Sequence, residues 1–143
     1  MKVIDKIKSA KKALFTFELL PPLKGHTIQE IYDTIDPLIE YNPAYINITY
    51  HQQEVVYKSR PDGLMEKRVI RKRPGTVAIA AAVQNKYKIT VVPHMICGGF
   101  TKEETEDALI DFHFLGINNL LVLRGDPEKG KRKFIPVEGG HAH

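Results

Sequence analysis

Four short segments rich in β-branched and apolar residues alternate along the chain with segments whose apolar residues recur at helical spacing. That alternation is the strongest constraint on the fold. Strands joined by crossover helices run parallel and carry the helices on the sheet face. The first strand is predicted over residues 13–19. In "HTIQEIYDTIDPLIEYN", Ile28, Ile31, Ile35, Leu38 and Ile39 fall on one helical stripe, with Thr27 and Glu30 as a capping box. Pro37 should kink or restart that helix. "AYINITY", residues 44–50, is the second strand, introduced by Asn42-Pro43. Residues 54–72 read as a β-hairpin on the rim, turning at Pro61-Asp62-Gly63.

Thr76 is placed to cap the Ala-rich helix "TVAIAAAVQNKY", and "KITVVPHMIC" is the third strand. Thr101 and Glu104 form a second capping box, opening a helix that runs through Leu115 and stops at Gly116. "NNLLVLRGD" is the fourth strand, apolar on both faces as a covered parallel strand should be. The opening "MKVIDKIKSAKKALF" fits a short amphipathic lead-in helix better than a signal peptide, because Asp5 interrupts it and no small-residue cleavage site follows.

The 143 residues suit one domain, 1–143, without repeats or linkers, and a chain of this size buries roughly two-thirds of its unfolded surface. Four strand-and-helix units suggest a small open sheet or part of a (β/α)8 barrel, whose usual size is about 250 residues. No apolar run approaches a bilayer-crossing length, so no membrane partner is expected. The single cysteine, Cys97, excludes an internal disulfide, suits a reducing cytoplasm and reads as an inert buried thiol. The formal charge of +4 is concentrated in "MEKRVIRKRPG" and the early lysines, without aromatic interleaving or a helix-turn-helix frame. A solvated basic hairpin is the plainer reading, and a nucleic-acid surface the weaker alternative.

Every strand ends in polar residues. Glu18 ends the first, Thr49 and Tyr50 the second, His94 the third, and Arg124, Gly125 and Asp126 the fourth. The C-terminal ends of parallel strands converge on one face, where ligands bind. Each residue also has an ordinary reading. Glu18 in an apolar strand needs a partner or a task, because a desolvated carboxylate costs several kcal/mol. His94 could be a satisfied core histidine, Thr49 and Tyr50 plain strand residues, and Arg124-Gly125-Asp126 a turn held by an ion pair. His141 and His143 lack companions at metal-ligand spacing, so no metal site is assigned.

Taken together, "FELLPP", "NITY", "PHMIC" and "LRGDP" resemble the N-terminal half of the methylenetetrahydrofolate reductases, over about Phe15 to His143. The resemblance implies an α/β fold of (β/α)8 barrel type with only the first four units present. It also implies FAD as cofactor, NADH or NADPH as hydride donor, and reduction of 5,10-methylenetetrahydrofolate to 5-methyltetrahydrofolate. Glu18 matches the family's catalytic general acid, a role that suits a buried carboxyl of raised pKa. Thr49 matches a position near the nicotinamide. Tyr50, Gln52, His94, Arg124, Gly125 and Asp126 match flavin-contacting positions, Asp126 lies by the folate as well, and His143 matches an aromatic beside the flavin.

The chain departs from the family in having Leu19-Leu20 where two aromatics are usual. The missing units imply a truncated chain or fragment that self-associates to cover its open edges. The rival readings are a half barrel or binding module without flavin and, further off, the nucleic-acid binder.

Overall fold

The computed structural model describes residues 1–127 and 132–142. A short helix α1 (Val3–Ser9) leads into β1 (Thr16–Leu19), α2 (Ile28–Ile35), a 3₁₀ turn (Asp36–Tyr41) and β2 (Tyr45–Ile48). Then come β3 (Glu54–Ser59), β4 (Met65–Ile70), α3 (Thr76–Tyr87) and β5 (Val91–Ile96). A single 3₁₀ turn over Cys97–Gly99, α4 (Lys102–Phe114) and β6 (Leu121–Leu123) follow. The main sheet has the order β1-β2-β5-β6, every pair parallel. The α/β class with a parallel sheet is therefore as expected.

Register sorts the side chains by face. Leu19 stands beside Ile48 and Ile48 beside Pro93, while Ile46 stands beside Val91. Leu19, Ile46, Ile48, Val91 and Met95 form one buried cluster with Ile31 and Ile35 of α2, Ile79, Ala80 and Val83 of α3, and Phe112 of α4. Apart from Ala80, each such side chain contributes about 1.5–3 kcal/mol of transfer free energy, so this seam is what holds the helices on the sheet. Because strand side chains alternate, Glu18, Asn47, Thr49 and His94 turn to the opposite face.

Local signals explain most helix ends, and two of them act differently from expectation. At α4 the Thr101 hydroxyl accepts from Glu104 N at 3.1 Å and Glu104 Oε2 accepts from Thr101 N at 2.8 Å, a complete capping box. At α2 the Thr27 hydroxyl accepts from Gln29 N at 3.3 Å, but the Glu30 carboxylate is taken by His26 and the box stays open. Thr76 does not cap α3. Gly75 holds the cap position, and the buried Thr76 hydroxyl instead donates to His94 O at 3.1 Å, joining helix to strand. Pro37 restarts the chain as the 3₁₀ turn after α2.

β3 and β4 form a separate antiparallel pair, turned at Gly63 with φ +78°. Residues 54–73 hold seven Lys or Arg and three acids, and each acid is in an ion pair: Arg60–Asp62, Arg68–Glu66 and Lys72–Glu54. Lys24 N donates to Lys72 O at 2.7 Å and the Arg73 guanidinium donates to Pro21 O, tying the base of this pair to the loop after β1. At the far end of the sheet, Val3 N donates to Asn119 Oδ1 at 2.7 Å and Lys6 Nζ donates to Ala44 O at 2.6 Å, so α1 fastens below the strands. Among the described residues no helix is long and apolar enough to cross a membrane.

Candidate active site

The C-terminal ends of β1, β2, β5 and β6 enclose a hollow of about 840 Å3. Its wall takes Glu18 from β1, Thr49 and Tyr50 from beyond β2, His94 from β5, and Arg124 and Asp126 from beyond β6. Residues spread over more than a hundred positions are thus brought together by parallel registration alone. A second hollow of about 900 Å3 lies at the other end of α3 and α4, against Gln84, Lys88 and Asn119. No carboxylate, imidazole or thiol lines it, whereas the strand-end hollow carries Glu18, His51, His94 and Asp126.

His94 is the most confined member. Only 6% of it is exposed, and Nε2 is buried without a hydrogen-bond partner among the described residues. Burial lowers its pKa below the usual imidazole value, an effect the Glu18 charge partly opposes. The ring is accordingly neutral near pH 7, with a nitrogen free to meet a ligand. Such an orphaned polar atom is uncommon in a settled interior, where nearly all are paired.

Thr49 is held by both of its polar groups, since N and Oγ1 each donate to Leu19 O at 3.0 Å. Its hydroxyl is therefore aimed from the β1–β2 junction. Tyr50 stacks edge-on against Phe100 with centroids 4.9 Å apart. Burial raises the phenol pKa, with Arg71 opposing and Glu104 adding to the rise. The phenol stays protonated and can donate.

The Gln52 side chain lies over the glycines of two strand ends. A Cβ on Gly99 would come within 3.2 Å of its Nε2, and one on Gly125 within 2.7 Å. Gly125 has φ +94°, a conformation that L side chains rarely adopt, and a Cβ there would also lie 2.3 Å from Ile96 Cγ2. The Arg-Gly-Asp turn needs glycine on both grounds.

Glu18 differs from expectation. It lines the hollow, but it is exposed rather than buried. The reason is the pleat: Leu19 turns into the core and Glu18 to the opposite face of an edge strand. Desolvation of this carboxyl is therefore not built into these residues. Arg124 and Asp126 are likewise exposed, and Cys97 is half-buried rather than buried. Arg124 makes no ion pair with Asp126 or any other described residue. Its guanidinium instead lies over the Phe134 ring, 4.8 Å from the centroid.

His51 and Phe134 are additions that the sequence reading missed. His51 lines the hollow next to Tyr50, and its pKa is lowered by burial and by Arg73. Its place directly after a strand end was the available signal. Phe134 sits in a loop with no periodicity to mark it. His143 lies outside the described residues, and among those described no group of three or more His, Cys, Asp or Glu is arranged to hold a metal ion.

Comparison with known proteins bears on what this wall is for. The family model "Methylenetetrahydrofolate reductase" matches residues 3–143. The chain is 33% identical over 145 aligned positions to "Methylenetetrahydrofolate reductase (NADH) 1" of Arabidopsis thaliana, covering 99% of this chain and 22% of that protein. It is 26% identical to "Methylenetetrahydrofolate reductase 2" of Saccharomyces cerevisiae, again over 22% of the relative. It is 24% identical to the "5,10-methylenetetrahydrofolate reductase" of Escherichia coli over 82% of this chain and 34% of that one. The chain therefore spans between about a fifth and a third of the length of these relatives.

Proposed function

The chain belongs to the methylenetetrahydrofolate reductase family, and from that premise we propose that it forms the first four units of a (β/α)8 catalytic barrel. In this reading the strand-end hollow takes FAD, accepts hydride from NADH or NADPH, and reduces 5,10-methylenetetrahydrofolate to 5-methyltetrahydrofolate. The observation that carries the reading is the meeting of Glu18, Thr49, His94, Arg124 and Asp126 on one hollow. When bound, FAD supplies the redox relay between nicotinamide and folate.

The residues present suit a flavin. The orphaned His94 Nε2 offers one hydrogen bond at the wall and Tyr50 a further polar contact, while Gln52, which lines a neighbouring hollow with Gly98 and Gly99, is placed by the flavin on the family resemblance alone. Ile96 and Gln52 already fill the space that a Cβ at Gly125 would take, so its glycine serves the turn, and Gly125 is placed by the flavin on the family resemblance alone. Arg124, unpaired with any described carboxylate, keeps its charge for an anionic group of the ligand. Asp126 places a negative charge beside the ligand, which disfavours added negative charge there and gives the folate an acceptor.

Thr49 orients the nicotinamide from its doubly anchored position. Glu18 donates a proton to the folate nitrogen that leaves as the five-membered ring opens. Its exposure in this chain assigns the desolvation to the covering substrate and to the units that close the barrel. His143 is placed by the flavin on the family resemblance alone. Self-association would cover the edge strands β1 and β6.

The test separates the half-reactions. In the flavin-loaded enzyme, Glu18→Gln should leave flavin reduction by the nicotinamide within about twofold and slow folate reduction by about 10²–10⁴. Equal loss of both half-reactions would remove the acid role. A protein that takes up no flavin would favour the binding-module reading instead.

A further inference from the structure

The tail of the chain returns over the strand ends and reaches Arg124 from behind. Lys102 N donates to Gly139 O at 3.0 Å, Thr101 pairs with Gly140 as an isolated bridge, and Val137 N donates to Gly98 O at 3.2 Å. Gly98 is the junction. Its N–H donates to Arg124 O at 3.0 Å, and the half-buried Phe134 packs against its bare Cα. A Cβ on Gly98 would lie 2.2 Å from Phe134 Cζ and 2.5 Å from Arg124 O, so only glycine admits both. The same ring lies 4.8 Å beneath the Arg124 guanidinium.

We propose that Phe134 is a positioning residue for Arg124, holding the guanidinium at the mouth of the strand-end hollow without neutralising it. A carboxylate in that place would orient Arg124 equally well but would cancel the charge that an anionic ligand needs. An aromatic face attracts the cation through its quadrupole and leaves its net charge intact. The contact stands on this geometry alone, while its consequence for ligand affinity rests on the flavin reading above.

Two readouts separate the contact from that reading. In the ligand-free protein, the ring current of Phe134 should shift the Arg124 Nε–H signal in a side-chain-selective NMR spectrum. Phe134→Leu should abolish that shift and Phe134→Tyr retain it. In FAD titrations, Phe134→Leu should weaken binding about three- to tenfold. Phe134→Tyr should bind close to wild type, and Phe134→Leu should add no further loss in an Arg124→Gln background. An unshifted Arg124 signal in the folded wild-type protein would overturn the proposal. So would equal losses for Phe134→Leu in both backgrounds, which would mark a merely structural role, or a Tyr variant as weak as the Leu variant. A wild-type protein that binds no FAD would overturn the flavin reading, and the ring-current shift would still decide the contact.

Discussion

His94→Leu should make the protein more stable and less able to bind its ligand. The ring is 6% exposed and its Nε2 has no partner among the described residues, a burden of about 1–3 kcal/mol in the folded state. Leucine fills similar space with apolar atoms and keeps the backbone carbonyl that receives the Thr76 hydroxyl at 3.1 Å. After some loss to imperfect repacking, the net gain should be about 1–2 kcal/mol. In urea unfolding the midpoint should rise by about 0.5–1 M at unchanged slope.

The gain should also depend on pH, with a definite sign. Burial depresses the folded-state pKa of His94 below its unfolded value of 6.5, so the unfolded chain binds the proton first as pH falls. The wild-type contribution is complete above that value and is lost as pH drops from 6.5 toward the lower folded pKa. Leucine does not titrate, so the advantage of the variant should be larger at pH 5.5 than at pH 8. A destabilised variant with unchanged slope, or a pH-independent difference, would refute the reasoning by showing Nε2 to be satisfied.

Removing the α4 cap with Thr101→Ala should cost about 1 kcal/mol and lower the melting temperature by about 3 °C, since Glu104 N loses the hydroxyl that accepts from it while the reciprocal bond from Thr101 N to Glu104 Oε2 survives. Gly125→Ala should destabilise by about 1–3 kcal/mol in thermal unfolding, because φ is +94° and the new Cβ would meet Ile96 Cγ2 at 2.3 Å. A neutral result there would mean that the turn adopts another backbone conformation at no cost.

The parts of the fold that depend on neighbours in sequence were legible. The Thr101 and Glu104 box lies within one helical turn, and the four apolar strand segments needed only their own composition. Strand limits came out shorter than read, as with 13–19 against Thr16–Leu19, because hydrophobic runs continue past the last shared hydrogen bond. Thr76 looked like a cap because nothing near it in sequence reveals His94 O as its partner eighteen residues away. Glu30 was lost to His26, a competitor four residues away that a two-position pattern ignores.

Glu18 was misread for a different reason. Its apolar neighbours suggested burial, yet the period-two pleat puts Leu19 inside and Glu18 on the other face, so alternation outweighs local composition. The meeting of the strand ends followed from parallel topology and could be read in advance. The packing of Gln52 over Gly99 and Gly125 and of Phe134 beneath Arg124 joins loops without periodicity, and only three-dimensional placement reveals it.

The central claim is that the hollow at the four strand ends holds a flavin. An equilibrium titration of FAD, followed by the visible absorbance of the flavin in wild-type protein and in His94→Leu, tests it most directly. The account predicts saturable one-to-one binding to the wild type and binding at least tenfold weaker in the variant. No binding by the folded wild-type protein, or equal affinity in both, would contradict it.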